Sequence, residues 1–326
     1  MLKKYPIIAY IIIFSLLWLS GCGASPSAAP ERKHKPRDAS AALTEDNGKF
    51  RLVGPGGVEF SSEAVPERII VTSVATAKIM DSLGIELIGI GRTMRPLSGK
   101  LAELPTVGYP MEPDLEAITA LNPDLVIVSA EFKHRLEEKM TQHNIPVFFL
   151  DNQSYKDTFS SIEMLGKAFG KEEKAGQLLK EMKEREKAAL RLAKDKPSPR
   201  VLILFGAGGS FLMARDTSYT GSMVKMLGGK NITDGISLSG EMSAYIPVSI
   251  EQVVAFNPEI ILRISHGNVE ETQRLFETEF LQNPIWQAVA AQQNNKIYDL
   301  PSSLFFANPG PEVVDALEYL AEIMYE

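Results

Sequence analysis

Leu115-Glu116-Ala117-Ile118-Thr119-Ala120-Leu121-Asn122-Pro123-Asp124-Leu125-Val126-Ile127 returns 135 residues later as Ile250-Glu251-Gln252-Val253-Val254-Ala255-Phe256-Asn257-Pro258-Glu259-Ile260-Ile261-Leu262. Glu, Ala, Asn and Pro recur identically, and most other positions keep their apolar or acidic character. Each copy reads as a helix stopped by Asn-Pro, then a continuous apolar strand of the kind buried on both faces of a parallel sheet. A period this long excludes a solenoid and argues for two copies of one α/β lobe. Open α/β sheets bind ligands beyond the carboxyl ends of their strands, so two such lobes predict a cleft that collects those ends from both sides.

Working outward, Arg68 to Thr72 reads as a strand, Ala75 to Leu83 as a helix ended by Gly84, and Ile85 to Ile90 as a further strand. A helix over Phe132 to His143 leads to the strand Val147 to Leu150, and this N-terminal α/β lobe spans 50–156. Over 157–196 the pattern becomes one long amphipathic segment rich in Lys and Glu, a connecting helix with a break near Phe169-Gly170-Lys171. A C-terminal α/β lobe over 197–326 opens with the strand Val201 to Phe205.

The 326 residues are 44% hydrophobic and 23% charged, which suits a folded two-lobed chain. A net charge of −7 argues against nucleic acid as a partner. Residues 1–21 join Lys3-Lys4 to an apolar run from Ile7 to Leu19 and then Leu19-Ser20-Gly21, the layout of a signal peptide. That run is short for a membrane span. The chain's single cysteine, Cys22, follows at once, which removes intramolecular disulfides and paired-cysteine zinc sites. Leu-Ser-Gly-Cys resembles a bacterial lipobox, which implies cleavage before Cys22 and its lipidation, palmitate included. Residues 22–49 then read as a lipidated N-terminus and a polar tether.

The folded part, from about Pro66 to Glu326, resembles the substrate-binding lipoproteins of ABC importers for iron compounds and cobalamin. Pro66-Glu67-Arg68-Ile69-Ile70, Leu115-Glu116 with Asn122-Pro123-Asp124, and the repeat at Glu251 carry the likeness. It implies two Rossmann-like α/β lobes joined by a single long helical connector, the class III periplasmic-binding-protein type, and no enzyme activity. It also implies that Glu116 and Glu251 dock the permease subunits.

A closer resemblance is to the haem-receptor lipoproteins of the iron-regulated surface determinant system. It rests on Val74-Ala75-Thr76-Ala77-Lys78-Ile79-Met80-Asp81, Val107-Gly108-Tyr109-Pro110-Met111-Glu112-Pro113-Asp114, Gly208-Gly209-Ser210-Phe211-Leu212, Ser218-Tyr219-Thr220-Gly221 and Ile261-Leu262-Arg263-Ile264-Ser265-His266-Gly267. That likeness implies haem as the transported ligand, with Met111 and His266 as axial ligands of its iron. It implies surface haem-transfer proteins as donors and a lipid-anchored monomer on the outer face of the cell membrane.

The residues agree in kind with this reading. His266 follows an apolar strand and precedes Gly267, which places it at a strand's carboxyl end. Met111 sits in Tyr-Pro-Met-Glu-Pro, a run that two prolines make extended and non-helical. Imidazole and thioether together are an established axial pair for haem iron. Val74, Ala75 and Thr76 open a helix and Gly208, Gly209 and Ser210 follow a strand, so both can receive a propionate, with Tyr219 near the pocket. Arg92, Arg95 and Arg263 are further candidates for propionate charge. The alternative ligands are a ferric siderophore or cobalamin, and the alternative class is an anchored haem-modifying or hydrolytic enzyme. No G-x-S-x-G or H-E-x-x-H motif is present to support an enzyme.

Overall fold

The apolar runs assemble two separate sheets. The computed structural model describes residues 49–326 except 55–56, 58, 94–95, 208–209, 235, 237–243, 267–268 and 283, with the side chains of 207, 210 and 279–282 also outside. The signal peptide, Cys22 and all but the last residue of the tether therefore lie outside the described residues.

In the N-terminal lobe the sheet order is Gly89–Ile90, Ile69–Val71, Leu125–Ser129, Val147–Leu150, parallel throughout. Ile70 and Val126 enter one apolar cluster, whereas Val71, Ile127 and Phe148 enter the other, so both faces are buried. This is why the strands carry no alternation of polar residues. The C-terminal sheet is mixed. Arg200–Ala207 lies parallel to Ile260–Ser265, which is in turn parallel to Ile297–Asp299. On its other side Arg200–Ala207 pairs antiparallel with Ser210–Ala214, which pairs antiparallel with Tyr245–Pro247.

The sequence repeat is also a structural one. Asn122 and Asn257 end their helices with φ of 45° and 44°, a left-handed turn that Asn tolerates better than most residues. Arg68 Nε donates to Asn122 O at 2.9 Å, and Arg200 Nε donates to Asn257 O at 3.0 Å, each satisfying a carbonyl at a helix end. The acid after each proline then receives the backbone N–H of that same arginine, Asp124 from Arg68 and Glu259 from Arg200, both at 2.9 Å.

One element differs from its sequence reading. The strand expected over Ile85 to Ile90 is only Gly89–Ile90. Gly84 closes the helix Val74–Leu83 at φ 70°, and Ile85 N–H turns back to Met80 O, so the first expected strand residues belong to a helix cap. The connecting segment breaks at the Phe169-Gly170-Lys171 position read from the sequence, into two helices, Tyr155–Ala168 and Glu172–Ala193, separated at Gly170 with φ 63°. The first begins in a capping box formed by Ser154 and Asp157 and packs on Val74–Leu83 and on the strand Phe50–Val53. The second packs along the C-terminal helix Val313–Tyr325, where Arg185 bonds both Asp315 (2.6 Å) and Glu318. Leu317, Leu320, Ala321 and Met324 form the buried stripe of that last helix.

Candidate functional site

Between the lobes lies a cleft of about 610 Å³, within the usual size of a small-molecule site. Its N-terminal wall includes Ser73, Val74, Ala75, Arg92, Tyr109, Met111 and Phe132, and its C-terminal wall Ser218, Tyr219, Tyr245 and Phe306. The carboxyl ends of the N-terminal lobe's parallel strands open into it at Ser73, Arg92, Ser129 and Asp151.

Met111 is at the tip of a small hairpin. Gly108–Tyr109 pairs antiparallel with Glu112–Pro113, leaving Pro110 and Met111 as the turn. The expectation of an extended run is corrected here: the two prolines flank a tight reversal. Met111 is 56% exposed, which is unusual for so apolar a side chain and excludes a core-filling role. The tip is braced twice. Arg92 N–H donates to Gly108 O at 2.7 Å, and Arg135 Nη2 donates to Met111 O. The Arg92 guanidinium lies 5.6 Å from the centroid of the Tyr109 ring.

His266 directly follows the strand Ile260–Ser265, as expected, and its N–H donates to Gly206 O at 2.9 Å, extending the ladder by one residue. Its side chain is not among the cleft-lining residues. It reaches the cleft wall through Phe306, whose ring stacks on the imidazole at 4.2 Å between centroids and 10° between planes. Burial of the ring lowers its pKa below the ordinary histidine value, which favours the neutral, ligand-competent form.

Helix N-termini from both lobes open into the same space. Val74 and Ala75 begin one helix, capped by Ser73, and Tyr219 begins another, capped by Ser218. Neither has an acidic residue in its first turn to neutralise the free N–H groups. Thr76 is corrected from this set. It is buried, and its N–H is engaged by Ser73 Oγ at 3.5 Å. Ser210 opens a strand opposite Ala207, with its side chain outside the described residues, and Gly208 and Gly209 lie outside them altogether. Of the arginine candidates, Arg92 lines the cleft and Arg95 is outside the described residues. Arg263 is buried and donates from Nε to Asp299 Oδ1 at 2.8 Å, an ion pair between neighbouring strands.

A family model described as "Periplasmic binding protein" matches residues 69–304. The chain belongs to the periplasmic binding protein family. It is a solute-binding protein of that family's two-lobed class III type and not an enzyme. It is 34% identical over 260 residues to the high-affinity heme uptake system protein IsdE of Staphylococcus aureus, covering 79% of this chain and 87% of that one. The crystal structure of S. aureus IsdE complexed with heme superposes with a TM-score of 0.70 at 33% identity, over 79% of this chain and 99% of that one. An ABC transporter substrate-binding protein from Listeria monocytogenes gives a TM-score of 0.68 at 32% identity, over 78% and 98% of the two chains.

In this family frame, Glu116 and Glu251 occupy equivalent exposed positions in the first turns of Leu115–Ala120 and Ile250–Phe256. They differ in support. Ser249 Oγ donates to Glu251 Oε2 at 3.0 Å, and this bond, together with the residue's own backbone N–H, lowers the carboxyl pKa.

The sequence reading missed the seam at the cleft floor. Asn308 donates from Nδ2 to Thr158 Oγ1 (2.9 Å) and to Asn152 O (3.0 Å), while its Oδ1 accepts from Gly310 N–H. Nearby, Lys78 pairs with Glu312 at 2.7 Å. Asn308 belongs to Asn-Pro-Gly-Pro, which reads in sequence as a turn and carries no sign of the opposite lobe.

Proposed function

We propose that the protein captures haem in the interlobe cleft, with Met111 from one lobe and His266 from the other as axial ligands, and presents it to an ABC permease. The observation that carries this reading is the pairing itself. A thioether exposed at a hairpin tip lines the cleft from one lobe, and from the other an imidazole at a strand end stands directly behind the cleft-lining ring of Phe306. Haem iron brings four nitrogens of its own and needs only such a pair to complete its coordination. Val74, Ala75, Phe132, Tyr245 and Phe306 supply apolar wall for the macrocycle, and the first turns at Val74 and Tyr219, which carry no acidic residue, suit its propionates. The 34% identity to a heme uptake protein supports the same ligand.

Lipidation at Cys22 would hold the mature monomer at the outer face of the membrane, where surface haem-transfer proteins load it. Glu116 and Glu251, one per lobe, would meet basic residues of a two-fold permease. The test is a visible-absorbance titration of hemin into the full-length protein in detergent. A saturable one-to-one Soret shift supports the reading. A linear, non-saturating response rejects haem and directs the search to ferric siderophores.

A further inference from the structure

We infer that Phe306 is a positioning residue for His266, fixing the plane of the imidazole by stacking where metal-binding histidines ordinarily rely on a hydrogen bond. The inference rests on the reading of His266 as an iron ligand.

The backbone of His266 is held by the sheet, through its N–H to Gly206 O and the weak donation of Thr272 Oγ1 to its carbonyl at 3.5 Å. Its ring is not held this way. Among the described residues neither ring nitrogen has a hydrogen-bond partner, and the contacts of the ring are aromatic. Phe306 is nearly parallel to it, at 10° between planes and 4.2 Å between centroids. Phe205 continues the parallel set, 6.1 Å from His266 at 20° and 6.5 Å from Phe306 at 21°. Tyr245 closes the far side of Phe205 at 5.0 Å.

A face-to-face contact restrains the tilt of the imidazole but leaves its edge free. The nitrogen lone pair lies in that edge, so the stack restricts the ring to orientations that can coordinate without occupying the coordinating atom. An outer hydrogen bond does the same work at most metal-bound histidines, and its loss typically costs 10–100-fold in metal affinity. Phe306 is itself supported by its own N–H, which donates to Ser302 O at 3.2 Å, and it follows the fully packed Phe305. It also lines the cleft, so one ring can serve both the histidine and the ligand's apolar face.

Phe306→Leu removes the ring and keeps apolar bulk, and Phe306→Tyr keeps the ring. In the full-length, haem-free protein in detergent, the ring C–H resonances of His266 should lie upfield of those of the exposed His134 and His143. They should move toward them in Phe306→Leu and stay in Phe306→Tyr. With hemin, Phe306→Leu should raise Kd about tenfold and lower the six-coordinate fraction. Phe306→Tyr should stay within about twofold of the parent, and Phe306→Leu should add nothing in a His266→Ala background. Equal losses in both backgrounds would make Phe306 a wall of the cleft and overturn the inference while leaving haem binding intact. Unshifted His266 resonances in the parent would overturn it as well. A parent that gives no saturable Soret change, with the resonance shifts present, would instead overturn the haem reading and take this role with it.

Discussion

The two lobes begin from one repeated segment and diverge toward the cleft. At the amino ends of the strands they match bond for bond, with Arg68, Asn122 and Asp124 in one lobe doing what Arg200, Asn257 and Glu259 do in the other. At the cleft the resemblance stops. The N-terminal lobe offers Met111 on an exposed two-residue turn outside its sheet, whereas the C-terminal lobe offers His266 on the ladder itself, under a layer of aromatic rings. The shared part supplies the frame, and the divergent part carries a thioether and an imidazole, the two proposed iron ligands.

The largest effects should come from the cores that hold this frame. Phe148→Ala in the N-terminal sheet should cost about 3–5 kcal/mol and Leu262→Ala in the C-terminal sheet about 2–5 kcal/mol. Both residues are fully buried. Because the helices Glu172–Ala193 and Val313–Tyr325 pack along each other, each change should lower a single unfolding transition in calorimetry. Two resolved transitions, with one variant moving each, would mean that the lobes fold separately.

Next in size is the repeated corner. Arg68→Ala and Arg200→Ala each leave helix-end carbonyls without their donor, so each should lose about 1–2 kcal/mol in urea unfolding. Similar losses would confirm that the corners are energetically equivalent. A much larger loss for one would show that the repeat has drifted in energy if not in geometry.

The ligand variants sharpen the contrast at the cleft. Met111→Ala and His266→Ala should each weaken hemin binding by about tenfold or more, by analogy with the loss of outer-shell support. Met111→Ala should change stability by less than about 0.5 kcal/mol, as exposed positions do, and His266→Ala by about 0.5–1.5 kcal/mol, the worth of its ring stack. A large stability loss in either would mark it as structural.

The smallest effect concerns Glu116 and Glu251, the carboxylates proposed to dock the permease. The Ser249 bond favours the ionised form of Glu251, so its charge should persist to a lower pH than that of an ordinary Glu. Ser249→Ala should move the Glu251 carboxyl resonance titration upward. Glu116→Gln and Glu251→Gln should each reduce uptake and leave hemin binding unchanged.

How much of this was legible in sequence follows from which forces are local. Asn122-Pro123 and Asn257-Pro258 announced the helix ends because the left-handed turn and the proline act within a few residues. The strands Leu125–Ser129 and Val147–Leu150 were readable because burial on both faces leaves no alternation to confuse. His266 at a strand end was readable for the same reason. The bend at Met111 was not, since prolines at 110 and 113 suit an extended run as well as a tight turn, and pairing of Tyr109 with Glu112 decides between them. The stack of Phe306 on His266 joins residues far apart in the chain, and nothing local distinguishes Phe306 from core-forming neighbours such as Phe305. The polar seam at Asn308 is legible only once the lobes have met.

The central claim is that one axial ligand comes from each lobe. Low-temperature magnetic circular dichroism of the hemin complex, extended into the near infrared, reads it most directly. The parent protein should show the charge-transfer band of sulfur-to-iron coordination together with a low-spin imidazole signature. Met111→Ala should abolish the first and His266→Ala the second. A parent spectrum without the sulfur band, or one that survives Met111→Ala, would contradict the account.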